Sequence, residues 1–258
     1  MAAAPTVSII VPAYNAVATV RECLASLTRQ TFSDWEAWVI DDGSTDDTLV
    51  VLRDIALTER RLEVLVQQNQ RQAVARNSGL AKARGRYIAF LDADDLALPD
   101  RLSKQVSFLE KHPEVTVLGG GRIDVDAATG NERGTFLPPE DHETLCSRIF
   151  TECPFSTSTV MARSSFFERR QFDPLMPPCE DHDLWLRSYR DSGIRYHNLP
   201  EPLVRYSCKR HVPWSHYRQM GRMYRRALKE EGRWPRQAWF ALRPLLAALR
   251  FNPGKRRD

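Results

Sequence analysis

The chain has 258 residues, 42% hydrophobic and 27% charged, enough to bury one large domain or two small ones. That composition excludes a collagen-like, mucin-like or wholly disordered chain. Its five cysteines, Cys23, Cys146, Cys153, Cys179 and Cys208, are odd in number and form no C-x-x-C pair. They argue against a disulfide scaffold or zinc ribbon and for a reducing compartment. Residues 1–5 put no positive charge ahead of an apolar stretch, and no run of about 18 apolar residues exists, so neither a signal peptide nor a membrane-spanning helix is expected.

In chain order, a β-branched run over 7–11 closed by Pro12 predicts a buried strand. Val20, Leu24 and Leu27 recur at helical spacing up to about residue 29. Residues 35–40 predict a second strand running into Asp41-Asp42-Gly43-Ser44, with Ser44 or Thr45 as cap of a helix through Leu49, Leu52 and Ile55. A third strand over 62–66, a helix over 72–84 and a fourth strand over 87–91 come next. Repeated strand–helix–strand units need crossover connections, so the expected class is α/β with a mostly parallel, Rossmann-like sheet. Beyond residue 91 the pattern predicts a helix over 99–111, a strand over 115–118 and a break at Gly119-Gly120-Gly121. A hairpin over 122–137, a strand over 157–161 and a helix over 181–192 complete it. Soft boundaries fall near residues 120 and 212.

Ligands of parallel α/β sheets sit beyond the carboxyl ends of the strands. No glycine occurs before Gly43, and G-x-x-x-x-G-K-[ST], H-E-x-x-H and G-x-S-x-G are all missing. A nicotinamide dehydrogenase, a P-loop NTPase, a zincin and an α/β-hydrolase are therefore disfavoured. The strand ends carry carboxylates instead: Asp41-Asp42 after the second strand, Asp92-Ala93-Asp94-Asp95 after the fourth. Three aspartates in four residues repel one another unless a cation or hydrogen-bond donors neutralise them. Such oxygen-only ligands suit Mn²⁺ or Mg²⁺ shared with substrate phosphates.

These residues resemble the family-2 glycosyltransferases of the GT-A fold. The matching segments are Ser8-Ile9-Ile10-Val11-Pro12-Ala13-Tyr14-Asn15, Gln30-Thr31-Phe32, Val39-Ile40-Asp41-Asp42-Gly43-Ser44-Thr45-Asp46 and Ala75-Arg76-Asn77. Gly85-Arg86-Tyr87-Ile88-Ala89-Phe90-Leu91-Asp92-Ala93-Asp94-Asp95 and the acidic pair Glu180-Asp181 extend the likeness over roughly residues 5–210. The resemblance implies a donor nucleotide, most simply of a UDP-sugar, with Pro12 and Tyr14 lining the base pocket and Asp42 on the base edge. It implies Arg76 near the donor diphosphate, Asp92 and Asp94 as the D-x-D element, Asp94 or Asp95 as metal ligand with His211 as a further one, and Asp181 as the base of an inverting transfer. Residues 1–212 would then be the catalytic domain, 1–120 its nucleotide-binding half and 121–212 its acceptor-side half. The Q-x-x-R-W element of processive polysaccharide synthases is absent, which favours transfer of one or a few sugars, in cell-envelope or exopolysaccharide synthesis. Two alternatives stand beside this reading: an inactive nucleotide-binding relative that docks partners, and a sugar nucleotidyltransferase, which would need a glycine-rich loop after its first strand.

The net charge of +4 is unevenly spread. Residues 213–258 hold 12 Lys and Arg against 3 acidic residues, a balance of +9, which leaves 25 basic and 30 acidic residues, −5, in 1–212. Aromatic and leucine residues alternate with these cations, as in helices that lie at a membrane interface. The expectation is a cytoplasmic protein whose basic tail either meets the inner membrane surface, bringing a glycan or lipid-linked acceptor within reach, or packs on the domain. No nucleic-acid recognition motif accompanies the charge.

Overall fold

The structure is a computed structural model that describes residues 4–208 and 214–233, together with 237, 239–242 and 244. Its first half alternates as expected: β1 (Val7–Ala13), α1 (Val20–Thr28), β2 (Trp35–Asp41), α2 (Thr48–Thr58), β3 (Leu62–Val66), α3 (Arg71–Leu80) and β4 (Tyr87–Phe90). Then come β5 (Leu96–Ala97), α4 (Arg101–Lys111), β6 (Val117–Asp126), β7 (Glu132–Phe136), α5 (His142–Arg148) and a 3₁₀ turn over Thr157–Thr159. The chain continues through β8 (Met161–Arg163), α6 (Ser164–Phe167), α7 (Glu180–Ser188), β9 (Tyr196–Cys208) and α8 (Trp214–Glu230).

Among the described residues one sheet runs in the order β3-β2-β1-β4-β8-β6-β9-β5, with β7 hydrogen-bonded to β6. β1 to β4 pair in parallel, as crossover helices require. β8 is antiparallel to both β4 and β6, whereas β6 and β9 pair in parallel, so the second half is mixed. Both faces of β1 are covered: Val7, Ile9, Val11 and Ala13 join a core with α1, α2 and α4. Ile10 joins a second core built with α3 and α5–α8. Apart from Ser8, whose hydroxyl donates to Glu36 at 2.6 Å, the run is apolar throughout, the signature of a strand buried on both sides.

Several local expectations change in the folded chain. β1 continues through Pro12: Ile10 O accepts from Leu91 N and Ala13 O from Asp42 N, so Pro12 faces the β4 side, where the ladder has ended and no N–H is required. Ser44 and Thr45 do not cap α2, which starts at Thr48; Asp46 accepts from Thr48 N at 3.0 Å instead. Ser44 and Thr45 are drawn away to Asn15, whose N–H donates to Ser44 Oγ at 3.0 Å and whose Oδ1 accepts from Thr45 N at 2.8 Å. The three glycines at 119–121 are no break but the middle of β6. A Cβ there would lie 2.3 Å from Asn198 Oδ1, 2.6 Å from Leu203 and 2.5 Å from Leu137, and the register against β9 shifts at the same place. Glycine in a strand here marks close approach and a bulge. Residues 157–159 form a 3₁₀ turn rather than a strand, and α3 and α7 end several residues earlier than their periodicity predicts.

Candidate active site

Two cavities, of about 800 Å³ and about 640 Å³, meet beneath the loop after β4. Gln72, Asp92, Asp94, Pro178 and Glu180 line both. The smaller cavity adds Pro12, Tyr14, Asn15, Asp42 and Arg71, all from the carboxyl ends of β1 and β2 and the start of α3. The larger adds Arg76, Asp95, Arg122, Thr157, Asp181, Tyr206 and His216, among others. Thus Pro12, Tyr14 and Asp42 share one cavity and Arg76, Asp95 and Asp181 the other, with Asp92 and Asp94 at the junction. His211 lies outside the described residues.

In the smaller cavity Tyr14 is 50% exposed and offers an open ring face, while Asn15 beside it holds a left-handed backbone, φ 47°. Asp42, not its neighbour Asp41, reaches the cavity. Its carboxylate accepts from Gln67 Nε2 at 2.7 Å, Gln70 N at 2.9 Å and Arg71 N at 2.7 Å. It thereby caps the orphan N–H groups of α3, whose own N-cap residue Gln70 makes no side-chain cap bond. Three of its four acceptor positions are filled, leaving one for a ligand N–H. Gly43 makes this approach possible: its φ is +71°, and a Cβ would sit 2.7 Å from Asn69 N. Arg71, exposed and also left-handed at φ 71°, is the cation of this cavity. Sequence reasoning missed it, because it took α3 to begin one residue later.

The acidic loop is organised by one hydroxyl. Ser158 Oγ accepts from Asp92 N at 3.0 Å and donates to Asp95 Oδ2, whose other oxygen accepts from Ser207 N at 2.7 Å. Asp95 is therefore turned inward, 1% exposed, and burial and the nearby Asp92 charge push its carboxyl well up despite those two bonds. Beneath it lies Arg101, fully buried, donating to Phe90 O and Val160 O; burial pushes its guanidinium down to about 10. The hydroxyl run 156–159 was the signal in the sequence for this support, and periodicity read it as a strand.

Arg76 is not a solvated helix residue. Its Nη1 donates to Glu180 Oε1 at 2.7 Å and its Nη2 to Asp92 Oδ1 at 2.9 Å, with side-chain exposures of 3%, 3% and 20% for Arg76, Glu180 and Asp92. Burial alone would lower the guanidinium, but Asp92, Glu180 and Asp181 outweigh it and hold it raised. Burial also pushes Glu180's carboxyl up, Arg76 draws it back, and the net effect is a rise. Asp181 points the other way, into the larger cavity, where its Oδ2 accepts from Thr157 Oγ1 at 2.7 Å and its Oδ1 from His182 N at 2.6 Å. The adjacent acids at the start of α7 thus have separate fates: one neutralises Arg76, the other faces the space.

The model of the glycosyl transferase family 2 matches residues 8–172. The chain belongs to that family. It is 35% identical over 210 residues to EpsE of Bacillus subtilis (strain 168), named as a glycosyltransferase, covering 80% of this chain and 74% of EpsE. It is 31% identical over 192 residues to WfgD of Escherichia coli, a UDP-Glc:α-D-GlcNAc-diphosphoundecaprenol β-1,3-glucosyltransferase, covering 73% of this chain and 71% of WfgD. The fold is similar to that of the mannosyltransferase PcManGT from Pyrobaculum calidifontis, solved with GDP-Man and Mn²⁺ (TM-score 0.66, 18% identity, 99% of this chain and 77% of that one). The GT-A architecture expected of this glycosyltransferase is the one observed. Among the described residues, no helix is long and apolar enough to cross a membrane.

Proposed function

We propose that the protein transfers a sugar from a UDP-sugar to a hydroxyl acceptor with inversion at the anomeric carbon. The observation that carries this reading is the junction of the two cavities at Asp92 and Asp94, with Tyr14 and Asp42 on one side and Asp181 on the other. A nucleotide in the smaller cavity stacks its base on Tyr14, against Pro12, and donates an imide N–H to the remaining acceptor position of Asp42. Asp92, held by Arg76, meets the ribose or sugar. In the larger cavity Asp181 receives the proton of the acceptor hydroxyl as its oxygen attacks the anomeric carbon. The bond from that carbon to the diphosphate breaks, and the diphosphate leaves with the electron pair.

The residues present fit a hard divalent cation, Mn²⁺ or Mg²⁺. Among the described residues no group of three or more His, Cys, Asp or Glu is arranged to hold a metal alone. A carboxylate site completed by substrate phosphates is what such cations accept. Asp94, which lines both cavities where they meet, would be the principal ligand. When bound, the cation supplies Lewis-acid stabilisation of the departing diphosphate. In this scheme residues 1–120 chiefly serve the donor and 121–212 the acceptor, while α8, from 214, packs on the second core and adds His216 and Met220 to the larger cavity. The donor and acceptor of WfgD support a UDP-sugar and a lipid-linked glycan of cell-envelope synthesis.

Calorimetry with UDP and GDP, each with Mn²⁺ and with EDTA, tests the reading. UDP should bind more tightly in Mn²⁺, and Asp94→Ala should lose that gain while matching wild type in EDTA. Equal affinity of the two proteins in Mn²⁺ overturns the cation assignment, preference for GDP overturns the base assignment, and no binding of either nucleotide overturns the whole.

A further inference from the structure

α8 presents two faces. Met223, Tyr224, Ala227 and Leu228 are buried in the second core, and Arg226 on its flank is engaged by Asp173 and Asp183. The opposite stripe, Trp214, Arg218, Arg222, Arg225 and Lys229, is exposed. At 100° per residue these five positions span about 80° of one side, and at 1.5 Å per residue they extend over about 23 Å. At the edge of the stripe Gly221 is covered by Ala241, whose carbonyl oxygen lies 2.7 Å from where a Cβ would be. That contact sets Trp239 and Leu242, each 55% exposed, beside the cations.

One exposed arginine is an ordinary solvated residue. Four cations and Trp214 on one stripe, with exposed Trp239 and Leu242 in the segment packed at its edge, combine the two attractions of an interfacial helix: charge toward anionic headgroups and apolar groups for the layer beneath. Exposed tryptophan and leucine have no role on a duplex phosphate backbone, so the pattern favours lipid over nucleic acid. The same helix contributes His216 and Met220 to the wall of the larger cavity. We infer that the outer stripe of α8 and residues 239–242 form a docking surface for an anionic lipid leaflet. Docking there would bring the acceptor cavity to the bilayer interface, where a phosphate-linked lipid carrying the acceptor sugar resides. The docking itself stands on α8 and residues 239–242; only its use for an acceptor rests on the transferase reading.

The test is co-sedimentation of the full chain with vesicles of phosphatidylcholine alone and of phosphatidylcholine with phosphatidylglycerol, at low and high salt. Binding is expected to the anionic vesicles, weakened by salt because the attraction is screened. Each cation near an anionic leaflet contributes about fivefold, so Arg218→Gln/Arg222→Gln/Arg225→Gln should lower partitioning on the order of 10²-fold. UDP affinity of the triple variant, measured by calorimetry, should equal wild type, which shows that it is folded. No binding of wild type to anionic vesicles overturns the inference, as does binding that the triple variant retains in full. Retention of duplex DNA in place of vesicles would overturn it in favour of nucleic acid. Vesicle binding without binding of UDP or GDP would leave the docking surface standing and count against the transferase reading alone.

Discussion

Replacing Arg76 by methionine removes one charge from a buried cluster while nearly keeping its volume, so the cavity penalty is small. Arg76 is the cation beside Glu180 at 2.7 Å and Asp92 at 2.9 Å. Asp92 retains some solvent, but Glu180 is 2% exposed and one of its oxygens, Oε2, already has no hydrogen-bond partner among the described residues. Removing one member of a buried ion pair costs about 3–5 kcal/mol, because the other charge stays behind uncompensated. At about 2–4 °C per kcal/mol for a domain of this size, the melting temperature should fall by roughly 6–20 °C. The deficit should depend on pH. Glu180's carboxyl is already raised by burial, and Arg76 is the principal group drawing it down, so in the variant it rises further. A raised carboxyl holds its proton more tightly in the native than in the unfolded state, so stability falls as pH climbs from the unfolded value, about 4.3, through the native one. The deficit is therefore largest at pH 8 and shrinks toward pH 4. Urea unfolding of wild type, Arg76→Met, Glu180→Gln and the double variant across that range measures it. The double variant should recover much of the loss, with a coupling energy of about 1–3 kcal/mol. A deficit below about 1 kcal/mol at pH 8, a flat pH profile or additive single effects would refute the reasoning.

Asp181→Asn preserves shape and can keep the Thr157 contact, so UDP affinity should stay unchanged while transfer slows ~10²–10⁴-fold; a rate within a few-fold of wild type assigns proton acceptance elsewhere. Asp42→Asn turns an amide N–H₂ toward at least one of three N–H donors, and should lose about 1–3 kcal/mol in urea unfolding, with weaker nucleotide binding. Gly43→Ala forces a Cβ against Asn69 N at a positive φ, and should cost on the order of 1–3 kcal/mol; a thermal melt matching wild type would show that the loop yields freely.

The structure answers the tail question in part. α8 is docked, with Tyr189 Oη donating to Glu231 at 2.6 Å and Met223, Tyr224 and Leu228 in the second core. Removal of residues 213–258 would strip that core, so truncation cannot serve as a test of membrane contact. Surface substitutions on the exposed stripe can.

The sequence by itself determined the alternating first half, because period-two and helical patterns are local and each strand from β1 to β4 is short and mostly apolar. It also placed the acids of the site after β2 and β4, where a parallel sheet leaves open ends. It did not reveal β9, which carries Pro200 and Pro202 and whose register against β6 shifts. Nor did it show that the glycines at 119–121 sit inside β6, since what excludes a side chain there is Phe155, Asn198 and Leu203, far along the chain. The roles of the charges were decided in the same way. Arg76 and Glu180 are 104 residues apart, Asp95 and Ser207 112. A residue's type and spacing fix what it can do, but a charge or an acceptor is committed by the partner that folding brings within 3 Å. For Arg76, Asp42 and Asp95 that partner comes from another element of the sheet or its loops, and only the tertiary structure names it.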